Sequence, residues 1–221
     1  MKRLLTFVGA LIMAITTLSA QHYDSYFADR TLRNDFIFAG NSQIQQVFLR
    51  QMLSWEGWAG RRVNLDQVAL GGNGQLTMTD CASGKVIYRT SFSSLFQEWL
   101  SGDEAKTTNK GYEFTILTPL PLAEAEVCVT LRNSLQEVVA SLNYRINPTD
   151  ILIRNVDGTP TTPHRLLHQS GPASEKIDVA IIAEGYTAEE MDIFRADAQA
   201  TVDAILSYEP FKSMADRFNF V

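Results

Sequence analysis

Cysteine is scarce in this sequence: Cys81 and Cys128 are the only two in 221 residues. Two thiols exclude a disulfide framework and a four-cysteine zinc site, and neither stands in a C-x-x-C redox pair. In an oxidising compartment they could bond if their strands are neighbours; otherwise they are buried thiols acting as small apolar side chains. Histidine is nearly as rare, with His22, His164 and His168 alone. His164 and His168 have the H-x-x-x-H spacing that sets two imidazoles on one helix face. A zinc peptidase also needs a general base in H-E-x-x-H, and that position is Arg165. Pro163 before the pair and Gly171-Pro172 after it leave barely two helical turns, so these read as surface histidines on a short helix.

Positive charge is also in deficit, with 19 Lys and Arg against 25 Asp and Glu, a net charge of -6. That balance argues against a nucleic-acid partner, because phosphate neutralisation needs a basic face. G-x-S-x-G does not occur, which removes a serine-hydrolase elbow. Gly71-Gly72-Asn73-Gly74 lacks the G-K-[ST] of a phosphate loop and leads into a strand pattern, as a flexible hairpin connection does. Asp103 and Glu104 are adjacent acids in a solvated loop. Trp55, Trp58 and Trp99 with Arg61 and Arg62 could form an aromatic-basic patch, although aromatics at element ends are more often core closures.

Long apolar runs are confined to the start. Lys2 and Arg3 precede an uncharged apolar stretch over 4–18, and Ser19-Ala20 then supply small residues before Gln21. That stretch is short for a bilayer span and has no stop-transfer flank, so residues 1–20 read as a cleaved export signal. No later apolar segment is long enough to cross a membrane.

From 31 to 146 the pattern is mainly period two, the signature of half-buried strands. Leu32, Phe36 and Phe38 share a face. Residues 75–79 and 86–92 form a hairpin around Ala82-Ser83-Gly84, with Val86, Tyr88, Thr90 and Phe92 opposite Ile87, Arg89 and Ser91. A second hairpin joins 125–132, where Ala125, Val127, Val129 and Leu131 share one face and Glu126, Cys128, Thr130 and Arg132 the other, to 138–146; Asn147-Pro148 ends it. Leu95, Phe96, Trp99 and Leu100 group at helical spacing in 93–100. Several short strands with turns predict an antiparallel β-sandwich.

After Pro148 the grammar changes. Residues 155–163 are rich in Gly, Pro and Thr, a linker composition. The run Val179-Ala180-Ile181-Ile182-Ala183 suits a strand buried on both faces, as in a parallel sheet. Thr187 and Glu190 make a capping box, and Met191, Phe194, Ala198, Val202 and Ile205 continue at helical spacing. Residues 217–221 read as the next strand. Glu184, at the carboxyl end of the first strand, stands where ligands bind in open α/β sheets, or else caps the following turn. A lone β-α unit has little to pack on, so the chain reads as a fragment or truncation and proteolysis is expected to trim it after about Asn147.

Several segments together resemble a known family. They are Tyr26-Phe27-Ala28-Asp29-Arg30-Thr31-Leu32-Arg33 leading into Asp35-Phe36-Ile37-Phe38-Ala39-Gly40-Asn41; Gly57-Trp58-Ala59-Gly60-Arg61-Arg62; Thr90-Ser91-Phe92-Ser93-Ser94-Leu95-Phe96-Gln97-Glu98-Trp99-Leu100; Asp178-Val179-Ala180-Ile181-Ile182-Ala183-Glu184-Gly185-Tyr186-Thr187; and Glu209-Pro210-Phe211. The chain is similar to the N-terminal part of the IgA-protease family of bacterial zinc metallopeptidases, in the lineage with an extra β-sandwich domain. The resemblance implies a secreted endopeptidase that acts on protein substrates. It also implies one zinc held by an H-E-x-x-H helix whose Glu activates the metal-bound water.

No H-E-x-x-H occurs in these residues, so no catalytic, cofactor-binding or metal-binding role is carried onto a numbered position. Zinc is implied for the full-length family member and not for this chain. The expected organisation is an export signal over 1–20, a β-sandwich over 21–150, a linker over 151–175 and the start of an α/β metallopeptidase domain over 176–221. The expected role is to support its own catalytic domain or present substrate to it, with no activity alone and no membrane anchor after signal cleavage. The alternative is a stand-alone secreted β-sandwich module binding protein or glycan.

Overall fold

The computed structural model describes residues 22–68, 70–159 and 162–221. The expected export signal lies outside the described residues. The remainder is mainly β, as predicted, with two four-stranded sheets and a later parallel pair.

Strands β1 (Phe27–Gly40) and β2 (Gln45–Glu56) form the longest hairpin. Gly40 reverses the chain at φ +128°, where a Cβ would collide with the Ile44 carbonyl, so only glycine fits. Next come β3 (Gly74–Asp80), β4 (Val86–Phe92), helix α1 (Leu95–Trp99), β5 (Lys110–Pro121), β6 (Ala125–Arg132) and β7 (Val138–Ile146). A short β8 (Ile153–Asn155) completes the first sheet, in the order β5-β1-β2-β8; the second runs β4-β3-β6-β7. Pro119 and Pro121 fall in β5, an edge strand, where a missing N–H need not break a ladder on both sides.

The sheets face each other across one core. Leu32, Phe36 and Phe38 of β1, Leu76 and Met78 of β3, and Ala125, Val127, Val129 and Leu131 of β6 are all fully buried. Each such leucine or phenylalanine contributes about 1.5–3 kcal/mol relative to exposure. Phe38 stacks on Phe92 and Phe114, with centroids 5.7 and 5.1 Å away, closing one end of the sandwich.

Both predicted hairpins form. In the first, the Asp80 carboxylate accepts from Ser83 N at 2.7 Å, and Gly84 takes φ +67°. The expected alternation in β4 fails at one place: Ile87 and Tyr88 are both buried. A bulge opposite Met78 and Thr79 skips Ile87 and turns it inward. Within the predicted helix, Ser94 caps α1 by accepting from Gln97 N, and Phe96 enters the core; Leu95 stays 70% exposed, off the buried face.

The 151–175 segment is partly built into the sandwich. β8 pairs in parallel with residues 52–54 of β2, and Ile153 is buried. Beyond it come β9 (Ile177–Val179), helix α2 (Met191–Ser207) and β10 (Phe218–Phe220), with β9 and β10 parallel. Thr187 N donates to Glu190 Oε2 at 2.9 Å in the predicted capping box, and Ala198 and Val202 are the buried centre of the α2 stripe. The doubly buried strand expected around 176–183 is corrected. β9 has three residues, and Ile177 and Ile182 are 53% and 80% exposed. A single helix covers only one face of so narrow a sheet. No helix among the described residues is long and apolar enough to cross a membrane.

Candidate functional site

The strand–helix–strand unit is held from behind by Asn219, which is 8% exposed. Its Oδ1 accepts from Ser170 N at 2.8 Å; its Nδ2 donates to Gly171 O at 3.0 Å and to Asp178 Oδ1 at 2.7 Å. One amide thereby ties the 170–171 segment to both strands. Past the strand ends, Val221 N donates to Val179 O and Ile181 N to Val221 O, at 3.0 and 2.8 Å. Residues 180–183 so continue beside Val221 and, with the first turns of α2 and the 162–167 segment, enclose a groove of about 1010 Å³. It lies at the carboxyl ends of the parallel strands, where α/β sheets place their ligands. Met191, Phe194 and Ala198 make its helical wall, and His164, Arg165 and Arg195 supply its polar groups.

The histidine pair does not share a helix face, because residues 164–168 form no helix. His164 is exposed, its Nδ1 3.0 Å from Thr162 O. His168 is drawn to β10: Phe220 N donates to its carbonyl at 2.7 Å, and its Nε2 lies 3.1 Å from Ala215 O. Pairing with β10 wins over helix formation, since a helix this short is marginal and Pro163 bounds it. Glu184 is exposed in a turn beyond β9, its N–H donating to Ile182 O at 2.9 Å, and it does not line the groove.

Among the described residues no three His, Cys, Asp or Glu side chains gather where a metal could sit. The zinc implied for the full-length family member therefore finds no ligand set here, and no step of a zinc mechanism is assigned to these side chains.

Cys81 and Cys128 are both free. Cys128 stands opposite Thr77, whereas Cys81 N donates to the carbonyl of Glu124, four residues before Cys128 and just ahead of β6. That offset is about 13 Å at strand rise, beyond the roughly 7 Å a disulfide can span. Cys81 is exposed and Cys128 only half-buried, so the reading of two buried thiols is corrected for Cys81 and met only in part by Cys128.

The aromatic and basic residues are largely engaged with one another. Trp58 is 7% exposed, and its Nε1 donates to Arg61 O at 3.1 Å. Arg61 and Arg62 lie over Tyr88 and Tyr23, 5.4 and 4.6 Å from the ring centroids. Burial, partly offset by Arg62, pushes the Tyr23 phenol up to about 12. Trp99 Nε1 donates to Glu104 Oε2 at 2.9 Å, and Lys110 pairs with the same carboxylate, holding Glu104 below the usual range. Asp103 pairs with Lys106. Gly74 opens β3 where a Cβ would strike the Phe92 ring, so the glycine run serves packing and connection.

A model of the peptidase M64 N-terminus matches residues 22–143, more than half the chain, and a model of the IgA peptidase M64 family matches residues 166–221. The chain belongs to the M64 peptidase family. No curated protein matches it.

The first M64 match spans the sandwich into β7, and the second spans β9, α2 and β10. Residues 144–165 between them hold β8 and an anchor that the sequence did not disclose: Asp157 accepts from Arg30 Nη2 and from Glu56 N, both at 2.7 Å. Also missed was a carboxylate on the outer face of the M64 sandwich. Asp35, 4% exposed, accepts from Thr115, Arg33 and Gln51 at 2.6, 2.7 and 2.7 Å. Its signal was present, since Arg33 lies two residues before an acid inside an apolar strand, on the same face.

Proposed function

We propose that this chain supplies an M64 metallopeptidase with its N-terminal β-sandwich and with the opening strand–helix–strand of its zinc-dependent catalytic domain. The sandwich supports that domain or presents a protein substrate to it, and the chemistry falls to residues outside these 221. The reading is supported chiefly by one coincidence: the backbone changes from antiparallel sandwich to parallel pair in the interval where one M64 match gives way to the other. The groove beside α2 supports it as well, since apolar walls at the carboxyl ends of two parallel strands are a surface for further sheet and helices to cover. The domain boundary then lies after Asp157 rather than at 150. Residues 1–20 act as a cleaved export signal that delivers a bacterial protein outside the cytoplasm.

The test compares the purified chain with a product extended into an H-E-x-x-H helix, using casein and immunoglobulin A with and without a chelator. Only the longer product should cleave them, and chelation should stop it. Chelator-sensitive cleavage by the short chain overturns the assignment. A secreted form whose mass begins at Gln21 supports the export signal, and an intact Met1 in the exported protein refutes it.

A further inference from the structure

At one end of the first sheet, where β1 and β2 leave the ladder, lies a cleft of about 630 Å³ lined by Trp55, Asp29, Glu56, Arg62, Leu117 and Pro172, among others. We propose that this cleft binds a carbohydrate. The inference is independent of the peptidase reading and would hold for the sandwich in either role.

Trp55 differs from the other two tryptophans. Trp58 donates through Nε1 and meets Tyr88 edge-on; Trp99 donates through Nε1 and lies against Phe96, Tyr112 and Lys110. Trp55 is half-buried in the cleft wall, yet among the described residues its indole meets no ring and no cation, and its Nε1 donates to no acceptor. A tryptophan wall with an unused donor at its edge offers a pyranose an apolar surface for its C–H face and a polar contact beside it.

The charged groups around it are fixed and only partly engaged. Asp29 Oδ1 accepts from Trp58 N at 2.9 Å and from Arg62 Nη2 at 2.5 Å, while no side chain or backbone group described here reaches Oδ2. Arg62 is held by Asp29, by Trp58 O at 3.1 Å and by the Tyr23 ring. The Glu56 side chain has no partner among the described residues, although its N–H is anchored by Asp157. Two carboxylates and one guanidinium carry a net negative charge, which disfavours phosphate and other anions. Carboxylate and guanidinium oxygens and nitrogens in a fixed arrangement suit paired hydroxyls.

An extended peptide is the natural competitor, and the backbone argues against it. Peptides add to free sheet edges, where the main-chain ladder gives affinity. Both edges of β2 are already used here. β1 lies on one side, and on the other β8 pairs with residues 52–54, Val156 N donates to Ser54 O at 2.9 Å, and Asp157 takes the Glu56 N–H. At β2 an added strand would find no free ladder, and the tryptophan, carboxylate and guanidinium groups of the cleft suit a compact polyol better.

The experiment uses the intact chain with cellotriose, chitotriose and N-acetyllactosamine as probes. Tryptophan fluorescence and saturation-transfer NMR are the readouts, with a lysine-containing and a proline-rich peptide as competitors. At least one saccharide should bind saturably at about 1 mM or below. Trp55→Ala should weaken it at least about tenfold, Trp55→Phe about threefold or less, and the exposed Glu56→Gln should weaken it with an unchanged circular dichroism spectrum. No saccharide binding up to about 10 mM, saccharide binding indifferent to Trp55→Ala, or peptide binding in its place would overturn the proposal.

Discussion

The phenol of Tyr144 on β7 donates to Asn34 Oδ1 on β1 at 2.9 Å, joining the two sheets through the core. Asn34 is completely buried, and its amide nitrogen donates to Leu32 O and Ile116 O, each at 3.3 Å, and to Thr118 Oγ1 at 3.2 Å. Burial raises the phenol's pKa above its ordinary range, which favours the protonated form that donates here. Tyr144→Phe would keep the ring against Phe36, 6.1 Å away, but leave the asparagine oxygen without a donor. The expected cost is about 1–3 kcal/mol. Urea denaturation should show a lower midpoint at constant slope; an unmoved midpoint would mean the bond is not made in solution.

Asp35 ties β1, β2 and β5 together from the outer face of the first sheet. Burial alone would raise its pKa, but hydrogen bonds from Thr115, Arg33 and Gln51 outweigh that and hold the carboxyl below the usual range. A group depressed in this way contributes stability that is complete above its unfolded value, about 3.9, and is lost as pH falls through the folded value. Asp35→Asn should therefore cost about 1–3 kcal/mol near neutrality. The gap between variant and parent should narrow below about pH 4. Parallel stability curves down to acid would remove Asp35 from the account.

The sandwich was legible where one face of each strand is apolar. Val127, Val129 and Leu131 alternate with Cys128 and Thr130 without exception, and a period of two has one structural meaning. Ile87 was misplaced because a bulge shifts the period by one residue, and nothing in the local sequence marks it. Asp157 lay beyond sequence reasoning for a different reason. Arg30 and Asp157 are 127 positions apart, and only the parallel return of β8 brings them together. The helix assigned to His164 and His168 failed because pairing with β10, at the far end of the chain, is a tertiary contact that overrides a weak local preference.

The two thiols should react at different rates and never with each other. Cys81 is exposed, while Cys128 is half-buried and its pKa is raised by burial and by Glu126, lowering its thiolate fraction. Ellman titration of the native protein should show one fast and one slow thiol, and two fast ones in denaturant. Peptide mapping without reductant that recovers a Cys81–Cys128 bridge would contradict the strand register.

Asp157 decides where the sandwich ends. Both of its oxygens are engaged, one by Arg30 and one by Glu56 N, and the bond from Arg30 holds the carboxyl below the usual range. β8 lies just before it, so the backbone from 153 to 157 is tied to β2 by a ladder, by Val156 N to Ser54 O, and by this carboxylate. Proteases need a locally extended, released backbone, and the first such stretch follows Asp157 rather than Asn147. Limited digestion should first cut within 158–166 and leave a sandwich fragment that retains β8. Asp157→Ala removes the two anchors without touching the core, and a second early cut should then appear at 148–156. Early cleavage of the unmodified chain at 148–152 would show that β8 does not stay on the sheet in solution, and would return the domain boundary to Pro148.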